Sequence, residues 1–567
     1  MQNIRWQLLI AIGGLILVVG LLIGQTPSLQ TAAPQPAVGG SYAEALLGDV
    51  VRLNPILDTY NQVDRDIDRL IYSGLVRFDS RGIPQPDLAE SWAVSADATL
   101  YTVTLRDNAV WHDGEPVLSD DVLYTFSKFQ DPDYPGPKDL QTLWQKVRIV
   151  RLDDRTVQFQ LSEPFAPFLD YLSIGLLPEH LLRGVSAGEL VDHPFNLDPV
   201  GTGPFRFDRF LMKDDQVAGV SLAAFDDYYL SRPYLERFEL FFYSTPQEML
   251  KAYQAGEVEG LGEVDPSILS QVLDDQSLNL YSSRLPEMGL VFLNIKSPSK
   301  PFFAEKKVRQ ALMMAINRQW IINTVMGGQA VVASGPILPD TWAAAGDLGP
   351  VPFDPQASAD LLDSLGWELP SGATPGTPEY VRSSEDNDLE FALAYPDDPQ
   401  HTAIAQDLQQ AWADIGVRVS LEGVSPETLL SDYLEPRDYD AVLTDINLSR
   451  FPDPDPYPFW HDTQAETGQN YGGYTDRNTS IWLEQARTTP DLARRSQLYR
   501  NFLHRFYDQQ PALLLYTPVW NFAINGDLQG VSVGPMFDPS DRYAGVTQWH
   551  LLARRGPAAT DTSSPGG

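Results

Sequence analysis

Residues 389–443 set the tightest limit on the fold, because strand and helix periodicities alternate there in a fixed order. Leu389 to Tyr395 alternates apolar and polar positions, as a strand does. Ile404, Leu408, Trp412 and Ile415 then recur at helical spacing and stop at Gly416. Val417, Val419 and Leu421 alternate again, Ser425 and Pro426 open a second helix, and Tyr439 to Leu443 forms a third strand. The order βαβαβ predicts an α/β fold, and in open α/β sheets ligands bind beyond the carboxyl ends of the strands.

The segment leaving that third strand is Asn447 to Asp462, NLSRFPDPDPYPFWHD. Its prolines fix φ at about −65° and bias each preceding residue away from helix, so it reads as a stiff loop carrying charged and aromatic groups. A loop of this kind at a strand end is a site candidate. Two other readings stay open: a solvated turn linking two elements, and an oxygen/nitrogen metal site in which His461 joins Asp453 and Asp455.

At 567 residues the chain exceeds what one core supports, so at least two lobes are expected. Lys and Arg number 40 against 76 Asp and Glu; the net charge of −36 argues against a nucleic-acid backbone or an anionic membrane as partner. Cysteine is absent, which removes disulfides, thiolate metal sites, a thiol nucleophile and a lipid-modified N-terminal Cys. Leu8 to Gly24 is an uncharged apolar run preceded by Arg5 and followed by a Pro/Ala/Gln/Thr-rich stretch. It reads as an uncleaved signal anchor (1–24) with a linker (25–40), holding the bulk of the chain on the extracytoplasmic face; a cleaved signal peptide is the alternative.

Elsewhere, Val63 to Leu75 has helical spacing, and Ser119 reads as a helix cap. Leu100 to Arg106 alternates, and Val147 to Leu152 with Thr156 to Leu161 reads as a hairpin. Thr245-Pro246 opens a helix that ends at Gly256, and one long helix is expected from about Val308 to Gly327-Gly328. Ala512 to Tyr516 reads as the last strand, before mixed polar sequence and a disordered tail (556–567). Catalytic motifs are weak. Gly184-Val185-Ser186-Ala187-Gly188 fits a nucleophile elbow in letters but has no strand leading in, so a serine hydrolase using Ser186 is the alternative rather than the reading. No Walker A loop occurs, and Gly201-Thr202-Gly203 lacks the context of a dinucleotide site. No cofactor is expected, and binding suits the chain better than catalysis.

Asp87 to Phe126 (DLAESWAVSADATLYTVTLRDNAVWHDGEPVLSDDVLYTF) resembles the signature of the extracellular solute-binding proteins, family 5, which serve peptide, nickel and opine ABC importers. Leu53-Asn54-Pro55, PVGTGPFRF at Pro199 to Phe207, KKVRQALMMAINRQWII at Lys306 to Ile322 and LLDSLGW at Leu361 to Trp367 follow in the same order. The resemblance implies a two-lobed periplasmic-binding-protein-like clamp (class II) with an inserted third subdomain. Lobe I would take 41–80, 196–285 and 516–555, the insert 81–195, and lobe II 286–515. It further implies capture of a peptide-like or small organic solute for delivery to ABC permease subunits, with no enzyme activity; a ligand sensor or chaperone on the same clamp is the alternative. Peptide-binding relatives carry an amine-anchoring Asp where this chain has Arg450. Arg450, Asp445 and Asp453 are therefore the expected polar contacts, and Phe451, Trp460 and Tyr474 the expected walls.

Overall fold

A computed structural model describes residues 36, 38–384, 387–448 and 452–552. The expected anchor (1–24), most of the linker, the tail, Arg450 and Phe451 lie outside them. Among the described residues no helix is long and apolar enough to cross a membrane.

Strand β1 (Ser41–Leu47) leads to helix α1 (Gln62–Ile71), capped by the Asn61 side chain, which accepts from the Val63 and Asp64 amides. Strands β2 (Ala89–Val94), β3 (Leu100–Leu105), β4 (Val147–Arg151) and β5 (Thr156–Leu161) form a separate antiparallel sheet in the order β2-β3-β5-β4. Helix α2 (Ser119–Gln130) supplies Phe126 and Phe129, which stack on Trp144. Ser119 does not cap this helix. Its hydroxyl donates to the Asp153 carbonyl, and Asp121 caps from within by accepting the Leu118 amide.

The chain then returns to the first sheet through β6 (Phe205–Lys213), β7 (Gln216–Ala224) and β8 (Arg237–Tyr243). Helix α3 (Pro246–Ala255) starts on the Thr245 cap and ends at Gly256 in the left-handed region, as its sequence predicts. Strands β9 (Gly260–Leu261), β10 (Leu278–Arg284) and β11 (Glu287–Leu293) follow. The long helix expected next is two helices, α4 (Lys306–Met314) and α5 (Arg318–Thr324). Asn317 makes the break, because its side chain accepts the Trp320 amide and restarts the helix as a cap.

The βαβαβ region appears as β12 (Glu390–Pro396), α6 (Pro399–Asp414), β13 (Arg418–Val424), a short helical turn, and β14 (Ala441–Asn447). Strand β12 lies between the other two and is parallel to both. Helices α7 (Arg477–Thr488) and α8 (Leu492–Gln509) precede β15 (Ala512–Asn525).

Strand β15 runs nine residues past the expected end at Tyr516, because Pro518 and Asn521 interrupt its apolar pattern without ending its pairing. Its first part pairs with β11 and its second with β10, so one strand crosses from lobe II into lobe I. Among the described residues this yields one twelve-stranded sheet, ordered β13-β12-β14-β11-β15-β9-β1-β8-β7-β6, with β10 and the short strand Ala330–Val332 also on β15. Leu513 and Leu515 pack with Val291 and Leu393 in one core, and Leu514 with Leu290 and Val442 in another. A strand buried on both faces explains the unbroken apolar run at 512–515.

Two motifs far apart in sequence meet at one joint between the four-stranded subdomain and lobe I. The His112 amide donates to the Gly201 carbonyl (2.9 Å), the Gly201 amide donates to His112 Nδ1 (3.2 Å), and Nε2 donates to the Gly203 carbonyl (3.1 Å). This pattern places the ring proton on Nε2, and burial pushes the His112 pKa down to about 4, so the ring is neutral at pH 7. A Cβ at Gly201 or Gly203 would collide with the carbonyls at the end of α1. The joint is closed to any other residue.

Candidate functional site

Past the end of β14, the face of lobe II turns towards the four-stranded subdomain, and a cavity of about 740 Å³ lies between them. Leu140, Phe165 and Tyr171 wall it on the subdomain side, and Leu448, Tyr457 and Phe459 on the lobe II side. Thr59, next to α1, reaches it from lobe I.

The acidic loop is fixed by cations from α7 and α8. Asp453 pairs with Arg495 (2.6 Å), both nearly buried, while Asp455 takes a two-pronged grip from Arg487 through Nε (2.9 Å) and Nη2 (2.6 Å). Asp455 sits at φ +22, a conformation non-Gly residues rarely adopt, and its two charged hydrogen bonds hold it there. The Arg487 guanidinium lies 3.9 Å over the Tyr457 ring, which also stacks with the His461 ring at 4.0 Å.

Hydrogen bonds cross the seam between subdomain and lobe II directly: the Asp453 amide donates to Asp170 Oδ2 at 2.5 Å, and the Trp342 amide to the Arg81 carbonyl at 2.9 Å. Asp170 is 5% exposed. Burial, and then the Asp453 charge, raise its pKa well above the usual carboxylate range. Arg487 adds a further link, its guanidinium 5.7 Å from the Phe165 ring of the subdomain.

The structure separates the residues that sequence reasoning grouped. Asp453 lines the cavity, but Arg495 engages its carboxylate. Asp445 lies off the cavity wall: Oδ1 accepts the Tyr516 hydroxyl (2.7 Å) and Oδ2 faces His401 Nε2 (3.1 Å). Burial opposes charge on His401, yet Asp445 and Asp398 outweigh it and raise its pKa. Trp460 and Tyr474 do not wall the cavity. Trp460 is 2% exposed with its ring edge-on to Phe506 at 4.7 Å, and Tyr474 is 4% exposed with its hydroxyl by Thr479, so both are packing residues of lobe II. Arg450 and Phe451 lie outside the described residues.

The metal reading of the loop is dispersed: His461 faces Thr463 and Glu484, while the two aspartates hold arginines. Ser186 follows no strand, and its hydroxyl donates to Glu189 (2.8 Å), so the nucleophile elbow does not form. Phe165, Asp170 and Arg487 were missed. Ser162 to Phe168, SEPFAPF, carries the same proline and aromatic mixture as the acidic loop and was the available signal for the first; nothing local marks Arg487.

Residues 84–469, more than half of the chain, match the family described as bacterial extracellular solute-binding proteins, family 5 Middle. The chain is 26% identical over 519 residues to the oligopeptide-binding protein AppA of Bacillus subtilis, spanning 90% of this chain and 92% of that protein. It is 26% identical over 476 residues to the dipeptide-binding protein of Escherichia coli, spanning 80% and 84%. The structure of HbpA2 from Haemophilus parasuis superposes with a TM-score of 0.78 at 22% identity, covering 90% of this chain and 100% of that one, which shows a shared fold. With two lobes joined by β15, a subdomain inserted between parts of the first, and a cavity at their meeting, the chain belongs to the bacterial extracellular solute-binding proteins, family 5.

Proposed function

We propose that this protein captures a peptide-like solute in the cavity between the inserted subdomain and lobe II and hands it to the permease subunits of an ABC importer. The cavity carries the reading. Its volume of about 740 Å³ lies within the roughly 300–1,000 Å³ typical of small-molecule sites, and aromatic walls with a few charged groups are what such sites present. The names of the relatives, oligopeptide-binding and dipeptide-binding, support the peptide class. In this reading lobe I comprises 41–80, 196–285 and 516–555, the insert 81–195 and lobe II 286–515. The apolar run at 1–24 tethers the clamp to the extracytoplasmic face of the membrane.

A ligand bound only by the folded clamp raises its melting temperature. Native mass spectrometry of freshly purified protein should reveal a non-covalent adduct, and a thermal-shift screen of di- to pentapeptides should give stabilising hits. A protein free of adduct that no peptide stabilises would refute the peptide reading.

A further inference from the structure

Arg542 and Arg487 each hold a carboxylate on the Nε/Nη2 edge, and they differ in what meets the other edge. Arg542, fully buried in lobe I, is saturated by two carboxylates. Glu44 holds its Nε/Nη2 edge (3.1 and 2.9 Å), and Asp66 its Nη1/Nη2 edge (2.9 and 2.7 Å). Arg487 has both oxygens of Asp455 on its Nε/Nη2 edge, where Arg542 has one oxygen of Glu44, and among the described residues its Nη1 donates to no protein group. Its side chain is 28% exposed and lines the cavity. One half of the fork is filled by protein. The other half has no partner among the described residues.

The group is also held in place before any ligand arrives. Asp455 fixes one edge, Tyr457 supports the plane, and Phe165 approaches from the opposite side of the cavity. A planar guanidinium with its rotamer already fixed loses little entropy on making two further hydrogen bonds, and its fork matches a carboxylate's two oxygens. Arg542 shows within this chain that a guanidinium in such a pair accepts a second carboxylate. Lys146 lines the same cavity and adds positive charge. Asp139, Glu163 and Glu484 line it too, but all three are exposed and screened over about 8 Å at physiological salt; they suit the positive end of a zwitterion.

We propose that the open Nη1/Nη2 edge of Arg487 docks a free carboxylate of the bound solute, so that the ligands are peptides with an uncapped C-terminus or acids of similar size. This rests on the peptide-like reading above.

The test uses a panel of di- and tripeptides, each made as the free acid and as the C-terminal amide, with affinities measured by calorimetry at neutral pH. A charge-assisted hydrogen-bond pair predicts that the wild type prefers acid over amide by about tenfold or more. In Arg487→Gln that preference should shrink to about twofold, chiefly through weaker binding of the acids, since only the fork is lost. Should Arg487→Gln fold poorly, Arg487→Lys keeps the charge without the fork and should still lose most of the preference. Asp455→Asn leaves the guanidinium more positive and should increase it. Equal binding of acids and amides by the wild type would overturn the docking assignment while leaving peptide capture standing. Failure of every acid and every amide to bind would overturn both.

Discussion

The inserted subdomain has two seams, one centred on a close-packed joint and the other on a cavity. Its seam with lobe I is centred on a neutral, close-packed joint: His112 threads between Gly201 and Gly203, and those glycines lie against the end of α1 with no room for a side chain, while elsewhere on the seam the buried Asp87 accepts the Tyr229 hydroxyl. Its seam with lobe II is charged and holds the cavity, with Asp170 reaching the Asp453 amide and Arg487 reaching Phe165. The second holds the cavity, and besides the Asp453–Asp170 bond it carries the hydrogen bond from the Trp342 amide to the Arg81 carbonyl.

The comparison breaks most readily at the first seam. Gly201→Val would drive a branched side chain into the Ile71 carbonyl and should cost more than about 4 kcal/mol, read by urea unfolding, because neither backbone can yield. A change within the error of the wild type would mean the joint is loose. At the second seam, Arg495→Ala leaves the Asp453 carboxylate buried without its partner and should cost about 3 kcal/mol by the same measurement. A loss under about half that would mean the loop relaxes to let water reach the carboxylate.

Acidity should separate the two seams by sign. His112 has a native pKa pushed below its unfolded value of about 6.5. Between about 4 and 6.5 the unfolded chain binds more protons there, so the His112 contribution is complete above about 6.5 and is lost as pH falls towards 4. The loss should be about 2–3 kcal/mol over that window, and His112→Gln should remove it. Asp170 acts the other way. Its pKa is raised by burial first and then by Asp453, with Arg495 opposing and Asp455 adding to the rise. The folded form therefore binds the extra proton, and the Asp170 contribution is complete below the ordinary carboxylate range and lost as pH climbs through the raised native value. Asp170→Asn should flatten that alkaline decline, the smallest of these effects, in stability measured against pH. A decline of unchanged slope would assign it to another carboxyl.

Neither seam was read from the sequence as a contact, though the residues that form the first lie in motifs that carry the family resemblance. The WHDG and GTGPF motifs stand out because a joint without spare volume tolerates few residues, and the βαβαβ region stands out because its periodicities are enforced by a sheet buried on both faces. Strand order alone predicts where a sheet opens, and the acidic loop that leaves β14 lines the cavity. The partners of its side chains were not legible. Trp460 looks like a stacking wall in sequence, and only the packing of Phe506 from α8 shows that it turns inward. Arg487 lies far along the chain from Asp455 and from Phe165, so the contact that joins them depends on tertiary structure that no local pattern encodes.

The central claim is that the cavity at the second seam is where the solute binds. Thr142 is an exposed residue on its wall, so Thr142→Trp fills part of the space without disturbing a core. Calorimetric titration of wild type and variant with the same stabilising peptide tests the claim directly. Filling the site should leave the unliganded melting temperature unchanged and weaken binding by about tenfold or more, equivalent to roughly 1.4 kcal/mol. Equal affinity in the two proteins would place the ligand elsewhere and contradict the account.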